Sequence, residues 1–101
     1  MIPPVFSTTC YSELERFIHS ALCEHERFDA DQTVLKKSAL RQSGKVVALL
    51  LRVESSRSHR SHAVWADAEN RVLFYNSAGQ RFGEVKLAES PDLQAVALRA
   101  A

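Results

Sequence analysis

Cysteine, proline, glycine and tryptophan are all scarce in this chain, with 2, 3, 3 and 1 copies among 101 residues. Small secreted domains are usually rich in disulfides, so two cysteines argue for a reducing compartment and for the cytoplasm. Low proline and glycine content excludes a collagen-like or low-complexity chain. The opening residues 1–6 also lack the basic start and the length that a secretory signal peptide requires, so none is predicted.

No charge of either sign dominates, because 13 basic and 12 acidic residues leave a formal net charge of +1. The whole chain therefore has no electrostatic field to attract nucleic acid or a membrane, and a charged partner must be met by a local patch. The longest apolar run, Val46–Leu51, is far shorter than the roughly 18 residues that a membrane-spanning helix needs. These absences argue against both membranes and nucleic acid as partners.

What is present is the composition of a globular protein, with 46% hydrophobic and 25% charged residues. A chain of this length predicts a single domain over residues 1–101, because two cores rarely fit below about 150 residues. Neither an internal repeat nor a linker divides the sequence. His59 and His62 have the spacing of metal ligands, but no cysteine or carboxylate accompanies them, so neither a metal nor a cofactor is predicted.

Apolar residues recur at helical spacing near the start of the chain. Five of them share one helical face: Leu14, Phe17, Ile18, Ala21 and Leu22. Their spacing predicts a helix over residues 10–25. Thr9 and Ser12 are both good N-caps, so the helix start stays open by about three residues. Cys10 extends the apolar face by one turn, whereas Cys23 falls on the opposite face and is predicted to be a surface thiol.

The rest of the chain alternates strand-like segments with turn signals. The predicted strands cover residues 34–40, 46–53, 62–67, 71–76 and 80–87, and a short helix begins after Ser90 and Pro91. Short connections make consecutive strands antiparallel. We therefore predict an α+β fold in which the first helix packs on an antiparallel meander of four or five strands. The predicted core contains Leu14, Phe17, Ile18, Leu22, Val47, Leu49, Leu51, Val64, Val72 and Phe74.

The hairpin of the third and fourth predicted strands brings two polar residues together. If Ala68–Asn70 form a three-residue turn, His62 lies opposite Asn76 on one face of the sheet. A carboxamide beside an imidazole can fix its tautomer and its orientation. With a two-residue turn, His62 would lie opposite Ser77 instead, so this prediction depends on the length of the turn.

Cys10 lies at the predicted start of the first helix. If Thr9 is the N-cap, the helix macrodipole stabilises a thiolate at Cys10 and lowers its pKa. A neighbouring imidazole would stabilise the thiolate further. Because Cys10 shares the helix face that packs on the sheet, its position allows contact with a strand residue.

A cysteine at a helix start, a histidine at the beginning of one strand and an asparagine at the end of the next resemble papain-like cysteine peptidases. The resemblance is closest to the small bacterial toxin and effector versions, and it rests on His62-Ala63-Val64-Trp65 and on Phe74–Gly79. It implies Cys10 as the nucleophile, His62 as the base and Asn76 as the residue that orients the imidazole. It also implies hydrolysis or acyl transfer at a peptide or amide bond.

Each of these three residues also has an ordinary structural interpretation. Cys10 could be a small buried hydrophobe, His62 a hydrogen-bonded strand residue and Asn76 a turn former. The alternative function is then a non-catalytic interaction module that binds a protein or peptide through a sheet face, a sheet edge or a basic loop.

Four residues are the candidates for such binding. Arg57 and Arg60 belong to the serine- and arginine-rich loop at residues 54–61, and phosphate contact there is the less favoured interpretation of their charge. Trp65 and Tyr75 are aromatic, and we predict both on the hairpin face opposite His62. The sequence does not indicate an oligomeric state.

Overall fold

A computed structural model describes residues 2–27, 33–54 and 60–100. In chain order its elements are β1 (Val5–Ser7), α1 (Tyr11–Glu26), β2 (Val34–Gln42), β3 (Lys45–Glu54), β4 (Arg60–Ala66), β5 (Arg71–Tyr75), β6 (Arg81–Glu89) and α2 (Leu93–Ala100). The predicted α+β class is confirmed. The sheet has six strands within the described residues rather than four or five, and it is mixed rather than purely antiparallel.

The strands lie in the order β1-β6-β5-β4-β3-β2. From β2 to β6 each strand pairs antiparallel with the next, which is the predicted meander. The additional strand β1 pairs parallel with β6, after Pro3 and Pro4. Proline has no N–H to donate to a ladder, but the Pro4 carbonyl still accepts the N–H of Lys86 on β6 at 2.9 Å.

The turn between β2 and β3 follows the sequence signal. Ser43 and Gly44 both have positive φ angles, 54° and 78°, which is the geometry of a two-residue turn that matches the twist of the strands. Gly44 adopts this conformation without a steric cost, because it has no Cβ atom.

The turn between β4 and β5 has four residues, 67–70, and not three. Asn70 closes it in the left-handed conformation, with its N–H donating to the Asp67 carbonyl at 3.2 Å. The Asn70 side chain also donates to the Leu87 carbonyl on β6 at 3.0 Å, which holds Asn70 in the turn. The longer turn shifts the register by one residue, so His62 pairs with Tyr75 and the predicted pairing with Asn76 is wrong.

A single apolar core lies between one face of the sheet and both helices. Its largest wholly buried sheet residues are Leu49, Leu51 and Val53 of β3, Trp65 of β4, Val72 and Phe74 of β5, and Val85 of β6. The same cluster contains Leu14, Ile18 and Leu22 of α1, as well as Leu93, Val96 and Ala97 of α2. We call this face of the sheet the inner face and the opposite face the outer face.

Two predicted core residues lie elsewhere, and Phe17 is only half-buried. Val64 is half-buried on the outer face, and its neighbour Trp65 takes the core position with 1% of its surface exposed. The longer turn causes this exchange of Val64 and Trp65. It shifts the register of β4 against β5 by one residue, and such a shift moves every side chain of a strand to the opposite face of the sheet.

Val47 is the second exception, because it forms a bulge. Leu40 pairs with Ala48 and Arg41 pairs with Val46, which leaves Val47 without a partner on β2. The bulge turns Val46 into the core, whereas Val47 is 36% exposed. The described residues contain no helix that is long and apolar enough to cross a membrane.

Candidate functional site

Cys10 is an exposed thiol at the N-cap of α1. Its Sγ lies 3.0 Å from the Ser12 hydroxyl oxygen, and its N–H donates to the Thr8 hydroxyl at 3.1 Å. The hydrogen bond from Ser12 is the main cause that lowers the pKa of Cys10, and the backbone N–H groups of Glu13 and Ser12 act in the same direction. The thiol is therefore accessible, and the interpretation as a buried hydrophobe is wrong.

His62 lies on the outer face of β4, between Arg52 of β3 and Tyr75 of β5. Its imidazole stacks on the Tyr75 ring with the centroids 5.0 Å apart and the planes 12° apart. Burial disfavours the charged imidazolium and lowers the pKa of His62. Burial thus favours the neutral form of this imidazole, which contacts an aromatic ring rather than a carboxamide.

The sheet separates Cys10 from His62. Ser61 and Ala63, the neighbours of His62 on β4, are the residues buried beneath the helices, so His62 points away from α1. The two residues also lie near opposite ends of α1, because the Ser61 hydroxyl donates to Glu26 in the last turn of that helix. The 16 residues of α1 span about 24 Å. The structure therefore does not bring this thiol and this imidazole together.

Asn76 serves the turn that follows β5. Its side-chain oxygen accepts the N–H groups of Ala78 at 3.0 Å and Gln80 at 2.9 Å, and its carbonyl accepts the N–H of Gly79. These bonds are all local, as in an Asx turn. Asn76 follows Tyr75, the strand partner of His62, and its oxygen atoms accept hydrogen bonds within the turn.

The candidate binding residues are also divided. Trp65 is buried in the core, where it stacks on Tyr11 at 6.4 Å. Tyr75 shares the outer face with His62, so its predicted placement on the opposite face is wrong. Arg57 lies outside the described residues, and Arg60 begins β4 opposite Glu54.

Cys23 is buried rather than exposed, which corrects the predicted surface thiol. Its Sγ lies 3.2 Å from the hydroxyl oxygen of Thr33, and the same hydroxyl lies 3.0 Å from Nε2 of His19. These contacts attach the start of β2 to the middle of α1. The described residues contain no group of three or more histidine, cysteine or acidic side chains that could hold a metal ion.

A groove of about 520 Å³ lies between the second half of α1 and β6. His25 stacks on Phe82 at one wall, with the ring centroids 3.6 Å apart. Ile2 lies against Gly83, where any side chain would collide with it: a Cβ atom would come within 2.5 Å of Ile2 Cδ1. Glu24 and Arg27 also line the groove, so its walls carry both signs of charge.

The outer face of the sheet carries a row of aliphatic side chains that no described element covers. Leu50 pairs with Val64, and Val64 pairs with Leu73, so the three form one line across β3, β4 and β5. All three are half-buried, whereas both helices pack on the inner face. We call these three residues the aliphatic row.

Charged side chains lie on both sides of the aliphatic row. One flanking line consists of Lys36, Arg52, His62, Tyr75 and Arg81, and the other consists of Ala48, Ala66, Arg71 and Lys86. Among the outer-face side chains that the structure describes in β2 to β6, six are basic, Lys45 opposite Gln42 included, and one, Glu84, is acidic. Glu84 forms an ion pair with Arg71 at 2.5 Å.

Helix α1, on the inner side of the sheet, is acidic. Helix α1 carries Glu13, Glu15, Glu24 and Glu26, and its one Lys or Arg residue is Arg16. Sequence analysis missed the outer face, because the hairpin register that defines it depends on the contact between Asn70 and Leu87.

Comparisons with protein families, with curated proteins and with solved structures found no match to this chain. A function must therefore be argued from the chemistry of the molecule itself.

Proposed function

We propose that this chain is a non-catalytic α+β module that binds a protein partner through the outer face of its sheet. The observation that supports it is the half-exposed aliphatic row at the centre of a sheet face that no described element covers. Contiguous apolar surface with a polar rim is typical of protein interaction sites. The cytoplasm, which the scarcity of cysteine favours, is the proposed compartment.

The geometry favours binding over catalysis for a second reason. A thiol nucleophile needs a base within hydrogen-bond reach, either directly or through a water molecule. Cys10 has Ser12 as its side-chain neighbour, whereas His62 lies on the other face of the sheet. This separation supports binding rather than thiol-dependent catalysis as the proposed function.

The outer face can bind a partner without a change of fold. Its side chains stand on β3, β4 and β5, which are held by the core beneath them. Completing the burial of the aliphatic row would contribute at most about 1 kcal/mol for each side chain, because each is already half-buried. A stable complex therefore needs further contacts around the row.

Site-specific photo-cross-linking tests this proposal. A benzophenone amino acid replaces Leu73 on the outer face in one variant and Ser20, an exposed residue of α1, in the control. In an extract of the source cells, we expect an adduct of defined mass from position 73 only. Excess unlabelled chain should suppress the adduct, and a further Val64→Asp substitution should abolish it while the circular dichroism spectrum stays unchanged. Equal adducts from both positions, or none from position 73, would contradict the proposal.

A further inference from the structure

We infer that a second copy of this chain pairs with β2 along its open edge, antiparallel and centred on Ser38, so that the two sheets join into one. The surface concerned is an edge of the sheet rather than its outer face. The inference therefore goes beyond the proposed function and does not depend on it.

The first argument is the difference between the two edges of the sheet. β1, at one edge, has three residues and follows Pro3 and Pro4. β2, at the other edge, has nine residues without proline or glycine, and no described strand pairs with its free side. In an antiparallel pair, every second residue directs its N–H and C=O groups away from the partner strand. β2 therefore presents a long row of backbone donors and acceptors, which is a template for another strand.

The second argument is the register that a second copy can adopt. A twofold axis perpendicular to the sheet keeps the helices of both copies on the same side, and it places one residue of β2 opposite its own copy. Ser38 is the middle residue of β2, so an axis at Ser38 pairs all nine residues. The pairs between the copies are then Val34 with Gln42, Leu35 with Arg41, Lys36 with Leu40, Lys37 with Ala39, and Ser38 with itself.

The basic residues of β2 favour this register over its neighbours. Lysine on an edge strand usually deters pairing, and like charges directly opposite each other are destabilising. An axis at Lys37 would place Lys37 opposite itself, and an axis at Ala39 would place Lys37 opposite Arg41. The axis at Ser38 places no basic residue of β2 opposite another. β2 is thus complementary to itself in the register that uses its whole length.

The side chains of β2 are also compatible with this pairing. The Lys37 ammonium group pairs with Glu15 of α1 in its own copy at 3.2 Å, so its charge is held against the helix. Leu40 is 44% exposed, and the aliphatic stem of Lys36 from the second copy would cover part of it. Pairing therefore removes apolar surface from water as well as satisfying the backbone groups of the edge.

Sedimentation of the full chain over a range of concentrations tests the inference. We expect a reversible dimer of twice the 11.3 kDa mass of the chain. Ser38→Lys and Ser38→Glu each place like charges at the axis, so each should raise the Kd of the dimer by up to about 5-fold. An equimolar mixture of the two variants should regain the dimer, because lysine then lies opposite glutamate.

The same two substitutions at Ser20, an exposed residue of α1, are the matched control and should leave the Kd unchanged, alone and mixed. Ser38 is exposed, so circular dichroism should show the same fold in all variants. A chain that stays monomeric at millimolar concentration would overturn the inference, and so would a dimer that neither Ser38 variant weakens.

Val64→Asp separates this edge from the outer face. It should leave the edge dimer unchanged, because Val64 lies on β4, two strands away from the edge. A dimer that is lost in Val64→Asp and kept in the Ser38 variants would place the contact between copies on the outer face and overturn the inference. The cross-link from position 73 tests the proposed function independently of either result.

Discussion

His62 and Tyr75 face each other across β4 and β5, and their rings stack with centroids 5.0 Å apart. The four-residue turn at 67–70 places His62 opposite Tyr75 rather than opposite Asn76. The imidazole is consequently partly withdrawn from water, and its pKa falls below the ordinary value of 6.5.

The first prediction concerns the dependence of stability on pH. Because the folded pKa of His62 is lowered, the unfolded chain binds more protons than the folded chain just below pH 6.5. The contribution of His62 to the free energy of unfolding is fully present above pH 6.5. It is lost as the pH falls toward the pKa that His62 has in the folded chain. Urea unfolding of the wild type and of His62→Gln, compared between about pH 5 and pH 8, measures this difference. Tyr75→Ala should move the pKa of His62 back toward 6.5, and identical pH profiles for wild type and His62→Gln would contradict the assignment.

The second prediction concerns the two thiols. Cys10 is exposed and its pKa is lowered from 9.0, whereas Cys23 is buried, so iodoacetamide should label Cys10 first. Ser12→Ala removes the main hydrogen bond to the thiolate, which should raise the pKa and move the rate profile to higher pH. Peptide mapping after timed alkylation gives both rates.

His62→Ala is the matched control for this experiment, since His62 lies on the other face of the sheet. It should leave the alkylation rate of Cys10 unchanged. A clear fall in that rate would show that the thiol and the imidazole interact after all, and it would restore the catalytic interpretation.

The third prediction concerns the core. Phe74 is wholly buried and contacts Phe17 edge to face at 6.4 Å, so Phe74→Ala should lower the free energy of unfolding by about 3–5 kcal/mol. Leu40 is 44% exposed, and Leu40→Ala should change the free energy of unfolding by less than about 0.5 kcal/mol. Chemical unfolding monitored by the fluorescence of Trp65, the single buried tryptophan, measures both. Equal losses in the two variants would refute the packing described above.

The fourth prediction concerns Gly83, where a Cβ atom would come within 2.5 Å of Ile2 Cδ1. Gly83→Ala should therefore displace the end of the Ile2 side chain, at a small cost in stability because that side chain can rotate. In an Ile2→Ala background, Gly83→Ala should lower the free energy of unfolding by less, because the colliding Cδ1 atom is absent. A double-mutant cycle measures this coupling, and strict additivity of the two changes would show that Ile2 does not pack on Gly83.

The elements of this fold could be predicted from local sequence, because helical spacing, alternation and turn residues act over a few positions. Helix α1 begins and ends within one residue of its prediction, and the turn at Ser43 and Gly44 follows directly from their conformational preferences. Strand β1 escaped prediction because three residues carry no periodicity, and its pairing with β6 joins distant parts of the chain.

The arrangement of the site could not be predicted in the same way. The length of the turn at 67–70, four residues rather than three, decides which side chains of β4 face the core. The contact of Asn70 with Leu87 holds the turn at this length. The papain-like order of Cys10, His62 and Asn76 is a property of the linear sequence. Once the sheet forms, α1 lies on one side of it and His62 on the other.

The bulge at Val47 has a consequence for tolerated changes in chain length. Deleting a residue inside a strand normally exchanges its buried and exposed side chains. Without Val47, however, Ala48 would follow Val46 directly, and the two would still oppose Leu40 and Arg41, so the pairs on either side would keep their faces. Position 47 is therefore a place where this sheet can lose a residue, and Leu50, two pairs further along the strand, is not.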